Sequence, residues 1–219
     1  MVKITSSWVG EGHGKMGDGI YYVRMGQTCA KKYVPHINDA NSIEQQSQRS
    51  IFNVSLDFSR NIKAIYNTFW TSAKPPLTRY NAFLSYTMIN SLKLDSSVWQ
   101  LDWQKIRFSS GTLVGLRNPS VTNPSAQTNS FKWDNNSGIG GAKPGDIFTF
   151  ILVNLSTYKD NPSPSIICGI TSQIRSAKTF NYSLPETWCG NELAIYACFI
   201  SPKGDKSSNS QYFTTLTLK

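Results

Sequence analysis

The chain has 219 residues, a formal net charge of +9 and a hydrophobic content of 39%. This length is enough for one large or two small domains with a core of their own. No apolar run approaches the ~20 residues that a membrane-spanning helix needs, so we expect no membrane partner. The first residues lack the apolar stretch of a signal peptide, which predicts a protein kept in the cytosol or assembled there into something larger.

The cysteines and histidines predict neither a metal site nor a disulfide. The four cysteines form no Cys-x-x-Cys pair, and the only two histidines are His13 and His36. A zinc site needs closer clustering of such ligands. Cys168 and Cys198 lie in apolar runs, which favours buried free thiols. We therefore expect no cofactor and no metal.

The positive charge is spread evenly along the chain and forms no basic block. Such a diffuse field suits contact with a polyanion or an acidic protein surface. It lacks the clustered footprint of a dedicated nucleic-acid binder. A DNA-contacting role would require several basic residues to share one face, namely Arg24, Lys31, Lys32, Arg49, Arg60 and Lys63.

The first region, residues 1–40, is rich in glycine and predicts an arm that leads into a β-hairpin. Residues 20–25 and 27–34 read as two strands with a turn at Gly26. The glycines lack the strand–turn–helix context of a nucleotide-binding loop. Unpaired strand edges here favour contact with a partner. The candidate assembly contacts are Trp8, Gly14, Gly17, Tyr21, Tyr22, Arg24, Lys31, Lys32 and Tyr33.

The second region, residues 41–95, predicts a helical hairpin. Asn41 or Ser42 can cap a helix, and Glu44 or Gln45 follows three residues later in a capping-box pattern. Apolar residues at spacings of three and four then define one helical face up to Phe69. The prolines at 75 and 76 end this helix, and Thr78 can cap a second one.

The third region, residues 96–219, predicts an immunoglobulin-like β-sandwich. Turn signals recur between short runs rich in β-branched and aromatic residues. The strands are expected at 106–108, 112–116, 130–133, 147–155, 166–173, 179–184, 193–201 and 211–218. The fold class is therefore mainly β, with an N-terminal arm and helical hairpin before the sandwich.

No residue pattern in the chain predicts catalysis. A Ser-His-Asp triad needs a histidine on a rigid element, but His13 lies in the glycine arm and His36 follows a proline. The acidic residues after position 130 mostly stand at turns, where carboxylates cap backbone groups. We therefore expect a non-enzymatic protein without a small-molecule substrate.

Several short stretches together resemble an uncharacterised two-part family of Bacteroidota bacteria and their phages. These stretches are 14–19 (GKMGDG), 33–35 (YVP), Gln46 with Arg49 and Phe52, 80–83 (YNAF), 110–113 (SGTL), 131–135 (FKWDN), 195–199 (IYACF) and 208–212 (SNSQY). The family pattern spaces the glutamine and arginine four residues apart, whereas here the spacing is three. The resemblance implies an N-terminal arm and helices followed by an immunoglobulin-like sandwich, with no known activity and no site residues.

The phage link favours a structural subunit of a bacteriophage virion, assembled in the host cytoplasm. Its place would be the head–tail junction or the tail, and its partners would be copies of itself and other virion proteins. One alternative is a cytosolic or envelope-associated binding module of a Bacteroidota bacterium that uses sandwich loops at 118–130 and 135–143. A nucleic-acid-associated protein is a further alternative.

Overall fold

The computed structural model describes residues 2–3, 13–24, 26–36, 39–125, 127–160, 162 and 164–217. The chain divides into two compact units, Met1–Gln46 and Ser47–Lys219. The three parts predicted at 1–40, 41–95 and 96–219 stay a prediction.

The N-terminal unit is a four-stranded antiparallel sheet with the order β1-β4-β3-β2. Its strands are β1 Val2–Lys3, β2 Gly14–Met16, β3 Gly19–Arg24 and β4 Gln27–Lys32. The predicted hairpin is confirmed as β3 and β4, and Gly26 adopts a φ of 74° in its turn. The predicted flexible arm is wrong for residues 14–19, which form β2 and a tight turn into β3. Gly17 in that turn has a φ of 57°, a conformation that glycine adopts without steric cost.

Three helices follow, and the N-caps of the first and the third agree with the sequence prediction. They are α1 Ile43–Asn61, α2 Lys63–Phe69 and α3 Arg79–Asn90. Ser42 and Gln45 form a reciprocal capping box, because the Gln45 N–H donates to Ser42 Oγ at 3.3 Å and the Ser42 N–H donates to Gln45 Oε1 at 3.2 Å. Thr78 caps α3 by accepting a hydrogen bond from the Asn81 N–H at 3.1 Å.

The single long helix predicted up to Phe69 is interrupted between α1 and α2. Ile62 stands at the break with a φ of −115° and a ψ of 24°, outside the helical range. Its side chain is nonetheless only 1% exposed, so the break leaves this apolar residue in the core. The spacing of apolar residues continues through the break and therefore could not reveal it.

Two sheets form the sandwich, and a small hairpin precedes them. The hairpin pairs β5 Leu92–Asp95 with β6 Val98–Leu101. The larger sheet has the order β10-β9-β12-β13 and the smaller one β11-β8-β7. The strands are β7 Arg117–Ser125, β8 Thr128–Asp134, β9 Ile147–Asn154, β10 Ile166–Ile174, β11 Thr179–Ser183, β12 Glu192–Ile200 and β13 Gln211–Thr217, with a short helix α4 Leu155–Tyr158 after β9.

Two strand predictions are wrong, and three strands were missed, namely β5 and β6 of the small hairpin and β7 of the sandwich. Residues 106–108 and 112–116 form connecting segments apart from single-residue bridges, whereas 117–125 form β7. Pro119 and Pro124 favour a turn locally, but both are tolerated because β7 is at the edge of its sheet.

The two central strands of the larger sheet, β9 and β12, are buried on both faces. Phe148, Phe150 and Leu152 of β9 face the smaller sheet, in a core shared with Phe131 and Trp133 of β8. The alternate residues Ile151 and Val153 face the other way, into a core that contains the helical residues Phe58, Ile62, Tyr66, Phe69 and Phe83. The molecule therefore has three layers in its larger unit: helices, a four-stranded sheet and a three-stranded sheet.

A row of hydroxyl groups, here called the serine seam, joins the helical layer to the C-terminal strands. It consists of Thr71, Ser109, Ser207, Ser208 and Ser210. Ser207 Oγ donates to the Phe69 carbonyl at 2.6 Å, and Ser109 Oγ donates to the Ser208 carbonyl at 2.7 Å. Ser210 Oγ accepts from the Phe108 N–H at 2.9 Å, and Ser208 Oγ accepts from the Phe199 N–H at 2.9 Å. Two of the stretches that carried the family resemblance, 110–113 and 208–212, thus meet in space to hold the layers together.

We expect Gly111→Ala to destabilise the protein by about 1–3 kcal/mol, the range of over-packing in a closed site. A Cβ at this position would clash with the Ser207 carbonyl oxygen and lie 2.5 Å from Thr71 Oγ1. Urea denaturation measures the change. Gly145→Ala is the matched control, since nothing lies within 4 Å of its added Cβ. Equal midpoints for the two variants would contradict the close approach at the serine seam.

Candidate functional site

The N-terminal sheet has two chemically different faces. Directly opposed residues on neighbouring strands share a face. Ile20 pairs with Lys31 and with Lys15, and Tyr22 pairs with Cys29. Arg24, two residues after Tyr22, lies on the same side of the sheet. This side, with Lys15, Tyr22, Arg24 and Lys31, is called the basic face below.

The opposite face carries smaller and more neutral side chains. Tyr21 pairs with Ala30 and with Gly14, and Gly19 pairs with Lys32 and with Met16. Lys31 and Lys32, although adjacent in sequence, therefore lie on opposite faces. The six candidate DNA-contacting residues therefore do not all share one face.

An aromatic ring contacts one of the positive charges of the basic face. The Lys15 ammonium lies 3.7 Å from the centroid of the Tyr33 ring, which is within the range of a cation–π interaction. The Tyr33 N–H donates to the Asp18 carbonyl at 2.6 Å, so the backbone fixes this ring beside the β2–β3 turn. Strands β2, β3 and β4 contain no acidic residue. The basic face is therefore suited to an anionic partner surface.

The N-terminal sheet buries very little of its own surface. Among described residues 13–46, Cys29 alone is buried, with 3% of its surface exposed. All three residues of β2 are exposed, and β2 ends the sheet order. An edge strand presents a row of backbone N–H and C=O groups to any additional strand. The sheet therefore has both an open edge and a charged face.

The structure brings together part of the predicted contact set. Tyr22, Arg24 and Lys31 share the basic face, with Tyr33 beneath Lys15. Tyr21, Lys32 and Gly14 belong to the opposite face, and Gly17 lies in the β2–β3 turn. Trp8 lies outside the described residues. Sequence reasoning missed Lys15 because the glycines around it were interpreted as an arm, although its spacing from Gly17 and Gly19 fits a tight hairpin.

The other concentration of charge is a buried cluster around Arg175 in the larger unit. The Arg175 side chain is 0% exposed and that of Asp146 is 1% exposed. Arg175 Nε and Nη2 donate to Asp146 Oδ2 at 3.2 and 3.0 Å. Nη1 donates to Asn136 Oδ1 at 2.5 Å and to the Gly115 carbonyl at 3.2 Å, and Nη2 donates to the Val114 carbonyl at 2.8 Å. All five guanidinium N–H groups thus have acceptors.

The backbone and an aromatic ring complete this cluster. The Arg175 carbonyl accepts from Trp133 Nε1 at 2.8 Å, and the guanidinium carbon lies 3.9 Å from the Phe199 ring centroid. Burial lowers the pKa of Arg175, and Asp146 opposes that change. A saturated and enclosed cation has no donor left for a substrate. The Arg175 cluster is a structural element, which ties the 112–116 and 135–146 segments to the end of β10.

Burial also raises the pKa values of several thiols and phenols. It raises the pKa of Cys168 and of Cys198 to about 12, with each thiol in or beside the helix-side core. It raises the pKa of Tyr158 to about 12 and that of Tyr196 well above its usual value. Cys168 and Cys198 are free thiols, as predicted, although Cys168 is only partly buried. These groups stay protonated at neutral pH, so they are poor nucleophiles.

No group of three or more potential metal ligands occurs among the described residues. In the same part of the chain, every helix is too short or too polar to cross a bilayer.

The chain matches the model of one known protein family. The model of a family described as "Family of unknown function (DUF6266)" matches residues 4–214. The chain belongs to DUF6266. The resemblance found in the sequence is thus confirmed as membership of a family of unknown function, whereas its association with Bacteroidota and phages stays a prediction.

Solved structures similar to this DUF6266 member are β-sandwich domains. The FN5 domain of Drosophila Lar is 9% identical, covers 49% of this chain and 95% of its own, and gives a TM-score of 0.33. The third fibronectin III domain of a human protein is 13% identical, with coverages of 49% and 86% and a TM-score of 0.38. A computationally redesigned β-sandwich protein is 18% identical, with coverages of 48% and 88% and a TM-score of 0.32. The mainly β fold class is confirmed by the strands and sheets of the chain itself. No match is found among curated proteins.

We expect Arg175→Met to reduce the free energy of unfolding by about 3–5 kcal/mol, because it leaves the buried Asp146 carboxylate without an opposite charge, although the Lys143 N–H still donates to it at 2.9 Å. Adding Asp146→Asn to the same chain recovers part of the loss, since the uncompensated charge is then removed. Chemical denaturation measures both. Arg60→Met is the control, because its ion pair with Asp57 is exposed and contributes below about 1 kcal/mol. A loss in Arg175→Met no larger than in the control would contradict the role of the cluster.

We also expect stability to fall as the pH rises above about 8.5, where thiols of an unfolded chain ionise. The raised pKa values mean that the folded state keeps protons that the unfolded state loses, so the free energy of unfolding decreases with pH. Melting temperatures between pH 7.5 and 10 measure the slope. A variant with Cys168→Ala and Cys198→Ala has a shallower slope below pH 10. An identical slope in the two chains would show that other groups cause the loss.

Proposed function

We propose that this DUF6266 member is a non-enzymatic structural subunit of a bacteriophage virion, in the ring between head and tail or in the tail. It would assemble with copies of itself and other virion proteins through its N-terminal sheet. The observation that carries the proposal is that this sheet has one buried side chain among the described residues of 13–46, an exposed edge strand and a basic face.

The small buried area of the sheet supports a role in association. A sheet of this size needs an apolar face packed on another layer for independent stability. Ile20, Tyr21, Tyr22 and Val23 of β3 are each only half-buried. Contact with a neighbouring molecule would cover them. The exposed edge of β2 offers the backbone groups for strand addition, which is a common mode of protein–protein recognition.

The charge of the basic face supports a partner with an acidic surface. Lys15, Arg24 and Lys31 lie together without an acidic residue in their strands. Complementary charge would accelerate association and fix its orientation. The same positive charges would also bind the phosphates of DNA. The experiment below distinguishes DNA binding from protein assembly by measuring how DNA binding depends on salt.

The loops of the sandwich offer less support for the alternative of a ligand-binding module. Residues 118–125 and 128–134 are strands, so most of the predicted 118–130 loop does not exist as a loop. The 135–143 segment is held by buried Asn136 and Ala142, and Asn136 accepts from Arg175. The assignment to virions rests on the predicted association of the family with phages, which the sequence resemblance implies.

The test compares Lys31→Glu with Lys32→Glu, two adjacent charge reversals on opposite faces of the sheet. Light scattering after size exclusion gives the mass of the full chain, and antibody labelling locates it in purified phage particles. We expect Lys31→Glu to weaken assembly at least about tenfold, equivalent to ~1.4 kcal/mol. Lys32→Glu should retain assembly, and both should melt as the parent does.

A parent chain that is monomeric at every concentration and absent from particles would overturn the proposal. Equal assembly by the two variants would exclude the basic face. Binding of duplex DNA that falls steeply with salt and is lost in Lys31→Glu, with no protein assembly, would favour a nucleic-acid role instead.

A further inference from the structure

Strand β10 is an edge of the larger sheet. Its partner on one side is β9, from Ile166 opposite Val153 to Ile170 opposite Thr149. Within the described part of the larger unit, no strand pairs with its other edge. In an antiparallel ladder, an edge strand directs the N–H and C=O groups of alternate residues outward. The outer side of β10 is therefore a template for one more extended strand.

The other edges of the sandwich carry the usual protection, whereas β10 does not. Pro119 and Pro124 interrupt β7, and β13 lies against β7 at that end of the sandwich. Strand β11 has five residues and is followed closely by Pro185. The nine residues of β10 include neither a charged side chain nor a proline. Natural proteins use charges, prolines and bulges to prevent edge pairing.

A bulge protects only the second half of β10. The register with β9 shifts between Ile170 and Ile174, where Thr171 Oγ1 donates to the Phe148 carbonyl at 2.7 Å. The first half, from Ile166 to Ile170, keeps a regular ladder. Ile170 closes this regular part and is 56% exposed. A large exposed apolar side chain thus stands at the end of an open and neutral strand segment.

We infer that β10 pairs in antiparallel fashion with β10 of a second copy of this chain, around a two-fold axis at Cys168. Opposed residues in a sheet share a face, so a self-pairing strand must place even-numbered positions opposite even-numbered ones. With the axis at Cys168, Ile166 of each copy lies opposite Ile170 of the other copy, so this contact occurs twice. Each exposed Ile170 is then covered by an apolar side chain on the same face.

A second copy fits this edge because the segment is self-complementary. A two-fold interface brings the same surface patch onto itself, which places like charges close together wherever the patch is charged. The chain carries a net charge of +9, yet this segment carries none. The pairing joins two four-stranded sheets into one of eight strands. It is independent of the N-terminal sheet, and so goes beyond the proposed function.

The first experiment replaces Ile170 by Lys in the full chain and measures mass by sedimentation over a range of concentrations. We expect the parent to form a concentration-dependent dimer and Ile170→Lys to weaken it at least about tenfold. Leu94→Lys is the matched control, since Leu94 is 59% exposed in the β5–β6 hairpin and should leave the dimer intact. Lys31→Glu should also keep this dimer, which separates it from assembly through the N-terminal sheet.

The second experiment tests the register by oxidation in a chain with Cys168→Ala. Ile166→Cys together with Ile170→Cys should yield a covalent dimer, because opposed residues place their Cα atoms within disulfide range, about 4.4–6.8 Å. Ile170→Cys alone should not. Equal cross-linking by the single variant would overturn the two-fold axis at Cys168. A parent that stays monomeric, or a dimer unaffected by Ile170→Lys, would overturn self-pairing and leave a strand of another protein as the occupant.

Discussion

Burial of β9 and β12 on both faces is the constraint on which the rest of the larger unit depends. Every residue of β12 after Glu192 is buried, and so are seven of the eight residues of β9. Side chains that alternate along these strands enter two different cores, one with the three-stranded sheet and one with the helices. Neither strand can be stable without both outer layers. The helices are therefore the third layer of the sandwich and not an appendage before it.

The sequence carries the signal for this constraint, but only in part. An unbroken apolar run such as 193–200 indicates a strand with no wet face, in contrast to the alternation of a half-exposed strand. What covers the second face cannot be deduced from the run itself. The apolar stripe of 51–69 predicted helices with a buried face, and the caps at Ser42 and Thr78 were predictable because local hydrogen bonds determine them. The partner of that stripe depends on contacts between residues far apart in the chain.

The features that the sequence did not predict all depend on contacts between residues that lie apart in the chain. The sequence around 112–116 has the residue types of a strand, yet its carbonyl groups bind the Arg175 guanidinium and it forms no ladder. Arg175 and Asp146 lie 29 residues apart, so no local pattern could join them, and Asp146 was expected at a turn with most of the other acidic residues. Lys31 and Lys32 could be assigned to opposite faces only once the register of β3 and β4 was known. At the N-terminal sheet, the hairpin was predictable from Gly26, whereas the role of Lys15 depended on recognising a third strand.

The serine seam also has a consequence for the order in which the chain becomes ordered. Ser207 donates to a carbonyl that is 138 residues earlier, and Ser109 to one that is 99 residues later. Contacts of such long sequence separation form late, because the intervening chain must first lose its freedom. On the ribosome the helices emerge well before Ser207 and β13. Part of their apolar stripe stays uncovered until Ala194, Tyr196 and Ile200 of β12 have left the exit tunnel. Synthesis of β12 and of the seam residues that follow it is thus the step that completes the core against the helices.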